Sequence, residues 1–188
     1  MPRWGLGVDF PLRVSSLGGR YRYDDDWETP DTQVINIEFD NKTLISWEGR
    51  SSNGTMLEGN TTGVIFYGEK GSLLISENNA YTIYDLQSKI IKDVNPDEVI
   101  EVRNATSPSQ ALDAFHIQNF FDGIIKGTSL NSGIAGGHQS RLLVQLGNIA
   151  LRSGHTLNID PKDGHIINDN EAMKYWSRQY EPGWEPEL

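Results

Sequence analysis

The sequence has no cysteine among its 188 residues. Disulfides, thiolate metal sites and cysteine nucleophiles are therefore excluded, and the redox compartment cannot be read from cysteine usage. Basic residues are scarce as well. Sixteen Lys and Arg stand against 26 Asp and Glu, a formal net charge of −10. A surface that negative repels phosphate backbones and anionic bilayers, which argues against nucleic-acid and membrane partners. No apolar run approaches the roughly 20 residues of a bilayer span. The first residues lack the basic stretch and apolar core of a signal peptide. A soluble protein of cytoplasm or periplasm is expected, with the choice between them open. There are only four histidines, His116, His138, His155 and His165, and none forms a close pair on one helical face. A metal site would have to draw on distant carboxylates. No Gly-x-Ser-x-Gly elbow supports a serine hydrolase.

What is present suits one globular domain over residues 1–188, with 37% hydrophobic and 22% charged residues and no internal repeat. Strand signals fill the first two-thirds. Val34-Ile35-Asn36-Ile37-Glu38-Phe39 alternates and places Ile35, Ile37 and Phe39 on one face. Asp40-Asn41-Lys42 is turn chemistry, and Leu44-Ile45-Ser46-Trp47-Glu48 alternates again, so the pair reads as an antiparallel hairpin. Further runs fall at 63–67, 72–75 and 81–84, separated by Gly68-Glu69-Lys70-Gly71 and Glu77-Asn78-Asn79. Earlier strands are expected at 12–16 and 20–23, flanking Gly18-Gly19. Short connections between successive strands favour an antiparallel meander.

The period then changes. Ser107-Pro108-Ser109-Gln110 fits a capping box, Leu112, Phe115, Ile124 and Ile125 share a stripe, and Gly127 is placed to end the helix. A second helix is expected over about 135–153, with Leu142, Leu143, Leu146, Ile149 and Ala150 inward and Gly154 as terminator. Gly147 within it marks a close backbone contact. A short third helix is expected over 170–178, capped by Asn168, before an extended tail over 180–186. The expected fold is α+β: one open-faced, mainly antiparallel sheet with two long helices on one face. Tyr, Trp and Thr on its free face would form a surface of the kind that meets a partner.

Two phosphate-binding motifs fail. Gly5-Leu6-Gly7 opens like a dinucleotide fingerprint, but Phe10 stands where the third glycine belongs and Pro11 follows where a helix should open. Residues 54–61 have phosphate-loop spacing, with Asn60 in place of the lysine, and read as a strand-connecting loop.

Several stretches, in order, resemble the Gfo/Idh/MocA oxidoreductases, more narrowly the branch found in Bacteroidetes. They are Arg3-Trp4-Gly5-Leu6-Gly7-Val8-Asp9, Asp31-Thr32-Gln33-Val34, Ile45-Ser46-Trp47-Glu48-Gly49-Arg50 and Tyr67-Gly68-Glu69-Lys70-Gly71-Ser72-Leu73. Ala111-Leu112-Asp113-Ala114-Phe115-His116-Ile117-Gln118-Asn119-Phe120, Gly137-His138-Gln139-Ser140, Leu146-Gly147-Asn148-Ile149-Ala150-Leu151-Arg152-Ser153-Gly154 and Glu171-Ala172-Met173-Lys174-Tyr175-Trp176 follow. The resemblance covers essentially the whole chain. It implies the C-terminal half of a two-domain enzyme whose N-terminal Rossmann domain, with its NAD or NADP site and catalytic residues, lies upstream of this sequence. No catalytic and no cofactor-binding residue is carried over, and the chain is expected to be inert alone. The family picture also implies a homo-oligomer joined through the open sheet face. A stand-alone binding or scaffold domain, and half of an NAD-dependent glycoside hydrolase of the same fold, are the alternatives.

Candidate substrate contacts follow from chemistry that suits sugars and polyols. Aromatic faces stack on C–H surfaces, while carboxylates and guanidinium groups bridge hydroxyls. The 20–31 segment mixes these types, with Arg22, Tyr23, Trp27 and Asp31 as candidates. In similar proteins the loop before the strand that opens with Asp31-Thr32 lies near the reacting centre. Arg50 is either a hydroxyl ligand or an ion-pair partner of Glu48 or Glu58. His138, expected at or near a helix start, is the polar pocket candidate, whereas His116 is read as a core histidine bonded to backbone and Trp47 as a core or interface residue. Trp184 either clamps a missing domain or a neighbouring subunit, or belongs to a disordered tail.

Overall fold

The alternation at 34–39 and 44–48 builds a hairpin in the computed structural model, which describes residues 1–76, 80–95 and 110–185. Strand β1 (Arg13–Gly19) pairs antiparallel with β2 (Thr32–Glu38), and β2 pairs with β3 (Leu44–Arg50). Lys42, at φ 63°, closes the turn between β2 and β3, and its N–H donates to the Phe39 carbonyl. The registers Val14↔Ile37, Ser16↔Ile35 and Ile35↔Trp47 put Val14, Ile35, Ile37, Ile45 and Trp47 on one face. Helix α3 (Ile134–Ser153) lays Leu142, Leu146, Ile149 and Ala150 on that face, and Phe39 and Leu157 belong to the same core. The two-residue strand β8 (Leu157–Asn158) follows α3 and pairs with the Arg13 end of β1, giving the order β3-β2-β1-β8. Gly154, at φ 73°, ends α3 as expected. The cap of the following helix, α4 (Asn170–Met173), is Asp169 and not Asn168, because the Asp169 carboxylate accepts the Ala172 N–H.

These elements, apart from residues 134–137 at the start of α3, belong to a unit formed by residues 6–54 and 138–188. A second unit comprises residues 1–5 and 55–137. It holds α1 (Pro2–Leu6), apart from its last residue, with β4 (Gly63–Gly68), β5 (Gly71–Ser76), β6 (Tyr81–Tyr84), β7 (Ile90–Val94) and α2 (Gln110–Lys126). β4 to β7 form an antiparallel meander in chain order. A Cβ on Gly71 would lie 2.0 Å from the Tyr84 carbonyl oxygen, so only glycine fits where β5 begins. Residues 57–60 form a tight turn in which Leu57 and Asn60 exchange backbone hydrogen bonds.

The α+β class with antiparallel strands therefore holds, with differences in detail. The described strands form two four-stranded sheets in place of one. The run 20–23 is a loop. On α2, Phe115, Ile124 and Ile125 are exposed, as are His116, Phe120 and Phe121. Periodicity shows which residues share a helix face, but burial also needs a neighbour to cover it, and no described element of this unit does. The residues 180–185 turn instead of extending, with the Trp184 N–H donating to the Glu181 carbonyl and the indole exposed. The capping residues 107–109 and the 77–79 connection lie outside the described residues.

Candidate functional site

The segment between β1 and β2 wraps around Asp31. One carboxylate oxygen, Oδ2, accepts the backbone N–H groups of Tyr21, Arg22 and Tyr23 at 3.1, 3.0 and 3.3 Å. The other accepts the Thr32 hydroxyl at 2.9 Å. With those N–H groups turned inward, residues 21–23 cannot join a sheet ladder, which is why the second expected strand is a loop. The Asp31 backbone N–H donates to Gly19 O, and its carbonyl accepts both the N–H and the hydroxyl of Ser51. Asp31 is only 2% exposed. Its amide donors, that of Arg22 first, outweigh the cost of burial and hold its pKa down to about 2. A carboxylate enclosed in this way does not reach a ligand, which corrects its expected role as a substrate contact.

Above it, Arg20 pairs with Asp25 and donates to the Thr29 carbonyl. The guanidinium carbons of Arg20 and Arg22 lie 5.7 and 5.9 Å from the Tyr23 ring centroid, within cation–π range. Tyr23 and Trp27 are exposed, the latter at 70%. Arg50 enters the same end of the sheet, because the registers Gly19↔Thr32 and Thr32↔Arg50 place the three residues side by side. Its Nε meets Glu48 Oε1 at 2.9 Å. The structure thus gathers Arg22, Tyr23, Trp27 and Arg50 at one end of β1–β3. On the inner face nearby, Gln33 donates to the Ser16 hydroxyl at 3.0 Å, and both residues are buried. Two polar residues at inward positions of an alternating pattern were the available signal for this pair.

His138 is not gathered there. It lies in the second turn of α3, exposed, in edge-to-face contact with Phe10 at 6.5 Å. Phe10 precedes the Arg13 end of β1, whereas the loop leaves the Gly19 end of this seven-residue strand, roughly 20 Å away.

Sequence reasoning also missed His155. This residue lines a shallow cavity of about 240 Å³ with Ser15, Leu17, Val34 and Asn36. Its Nε2 lies 2.5 Å from Asp169 Oδ2 and its Nδ1 lies 3.0 Å from the Ser153 carbonyl. Both ring nitrogens face acceptors, so the imidazolium is favoured. The Asp169 hydrogen bond foremost, then the Ser153 carbonyl, raise the pKa from its ordinary 6.5. A raised folded-state value means the pair's stabilisation is complete below 6.5 and is lost as pH rises through the folded value. Replacing His155 with Gln is expected to flatten the decline of the melting temperature from mildly acidic to mildly alkaline pH. An unchanged pH profile in thermal melts would refute this assignment.

Gly5 and Gly7 do not form a nucleotide cradle. Gly5 lies inside α1, and a Cβ there would come 2.4 Å from the Phe66 ring. Gly7, at φ 64°, closes the helix, whereas a pyrophosphate site needs a glycine turn that opens one. These residues do not fit NAD or NADP. Among the described residues no group of three or more His, Asp or Glu side chains is placed to hold a metal ion. No helix among them is long and apolar enough to cross a membrane.

Residues 10–159 match the family described as "Oxidoreductase family, C-terminal alpha/beta domain". No curated protein matches by sequence. Among solved structures, an oxidoreductase from Agrobacterium radiobacter in complex with NAD+, L-tartaric acid and magnesium is similar at 17% identity and TM-score 0.60, over 83% of this chain and 45% of that one. A putative oxidoreductase from Thermotoga maritima gives 12% and 0.57, over 84% and 43%. The WlbA dehydrogenase from Chromobacterium violaceum, in complex with NADH and UDP-GlcNAcA, gives 12% and 0.53, over 80% and 41%. The chain thus spans less than half the length of each.

Proposed function

The chain belongs to the Gfo/Idh/MocA oxidoreductase family, matching its C-terminal alpha/beta domain, and on that premise we propose that it is the substrate-binding and oligomerisation half of an NAD(P)-dependent sugar or polyol oxidoreductase. In this reading residues 1–188 work as one domain, and an N-terminal Rossmann domain supplies the cofactor site and the catalytic residues.

The observation that carries the proposal is the loop built over Asp31. It presents Tyr23, Trp27 and Arg22 beside Arg50 at one end of a sheet. Aromatic faces and guanidinium donors are what a hydroxyl-rich ligand needs. His138, beyond the other end of β1, stands outside this set. The complexes of two relatives, each holding a nicotinamide nucleotide with a second small molecule, support the choice of parent reaction.

The outer face of β1–β3 supplies the oligomer surface. Leu17 is 81% exposed there, with Val34 and Leu44 also exposed among Ser15, Asn36 and Ser46. An isologous pair of such faces, if obligate, would bury more than about 1,600 Å² in total.

Calorimetric titration tests the division of labour. The 188-residue chain is expected to bind NADH no more tightly than about millimolar, and to acquire dehydrogenase activity on free sugars or polyols only when joined to a nucleotide-binding domain. Micromolar NADH binding by this chain alone would overturn the proposal.

A further inference from the structure

We propose that Asp31 is a positioning residue that fixes Arg22, Tyr23 and Arg50 as one substrate-facing set without touching the substrate. The inference rests on the reading of this loop as substrate-facing.

Asp31 engages three neighbouring segments at once. Its carboxylate gathers three consecutive loop amides, its N–H reaches the end of β1 at Gly19, and its carbonyl takes two hydrogen bonds from Ser51, next to Arg50. Nothing else described links the 21–23 backbone to β2. The arginines and the tyrosine are exposed or half-buried and long-limbed, and such side chains are placed only as well as their backbone is. A carboxylate suits the task because three N–H dipoles converging on one oxygen favour negative charge. An amide oxygen of the same shape would hold them more weakly. Burial keeps water from competing for the same donors.

NMR of the isotope-labelled 188-residue chain tests this. In the native chain the amide signals of Tyr21, Arg22 and Tyr23 should titrate together in acid, below the ordinary carboxylate value of 3.8. Asp31→Asn should abolish that titration. It should also speed hydrogen exchange at the three amides at least about tenfold, with core amides such as that of Leu146 unchanged. Millimolar D-glucose or myo-inositol should perturb residues 22, 23 and 50 in the native chain, and about tenfold more weakly in Asp31→Asn through lost preorganisation. Ser51→Ala, a milder change, should loosen the response at Arg50 and leave the 21–23 titration in place. Native exchange rates at 21–23 in Asp31→Asn would overturn the inference. So would faster exchange with undiminished sugar response. If neither sugar perturbs the native loop, the substrate reading itself falls and takes the positioning role with it, whatever the exchange rates.

Discussion

Phe39→Ala is expected to destabilise the chain by about 3–5 kcal/mol. The ring is 1% exposed and lies in the core that also contains Val14, Leu146, Ile149 and Leu157. Removing it forfeits the transfer energy of a phenyl group and leaves a cavity. The surroundings cannot close that cavity easily, because the Phe39 backbone is tied on both sides of the turn, to Thr43 and to Lys42. Domains of this kind have total stabilities of about 5–15 kcal/mol, so the loss takes a large share. At about 2–4 °C per kcal/mol for a chain of this size, the melting temperature should fall on the order of 10 °C. Denaturant unfolding followed by tryptophan fluorescence measures the effect. A loss below about 1 kcal/mol would mean that Phe39 is not packed as described.

Gly147→Val should have the next largest effect, with opposite physics. A Cβ at Gly147 would lie 2.4 Å from Ile35 Cδ1 and 3.0 Å from Cγ2. Ile35 sits on β2, which is paired on both sides by β1 and β3, so its backbone cannot retreat. Valine adds two further methyl groups at the contact. Overpacking of this kind costs about 1–3 kcal/mol or more. Helix propensity alone would favour replacing this glycine, by up to about 1 kcal/mol with alanine, so a loss of stability cannot come from the helix itself. Trimming Ile35 to Ala in the Gly147→Val background should recover part of the loss, which a double-mutant cycle would register as coupling between the two sites. Additive effects would show that the two residues do not touch.

The Gly147 contact was legible in the sequence because a glycine inside an otherwise apolar helical stripe has few uses. The β2–β3 hairpin was legible for a similar reason. Alternation fixes which side chains share a face, and the 40–42 turn fixes the pairing partner. The candidate site was legible in its composition and not in its roles. The mixture of arginine, aromatic and acidic residues at 20–31 marks the loop, but composition alone does not separate Asp31 from residues that face outward. The letters do not show that one of several nearby carboxylates turns inward to collect three amides. Nor does composition separate His138 from that set, although it falls beyond the far end of β1. His155 is not legible in the sequence, because its partner Asp169 lies 14 residues away, across β8.

The sequence by itself determined the local elements, the inward residues of β2 and α3, and a family resemblance spread across the whole chain. Each of these depends on residues a few positions apart, where backbone geometry imposes a fixed period. Tertiary structure decided which strands share a sheet, that the short β8 closes the edge of β1, and which polar groups meet inside. Those outcomes depend on contacts between distant segments. The free energy of a buried hydrogen bond or a covered apolar face exists only once both partners are in place, so no local pattern records it.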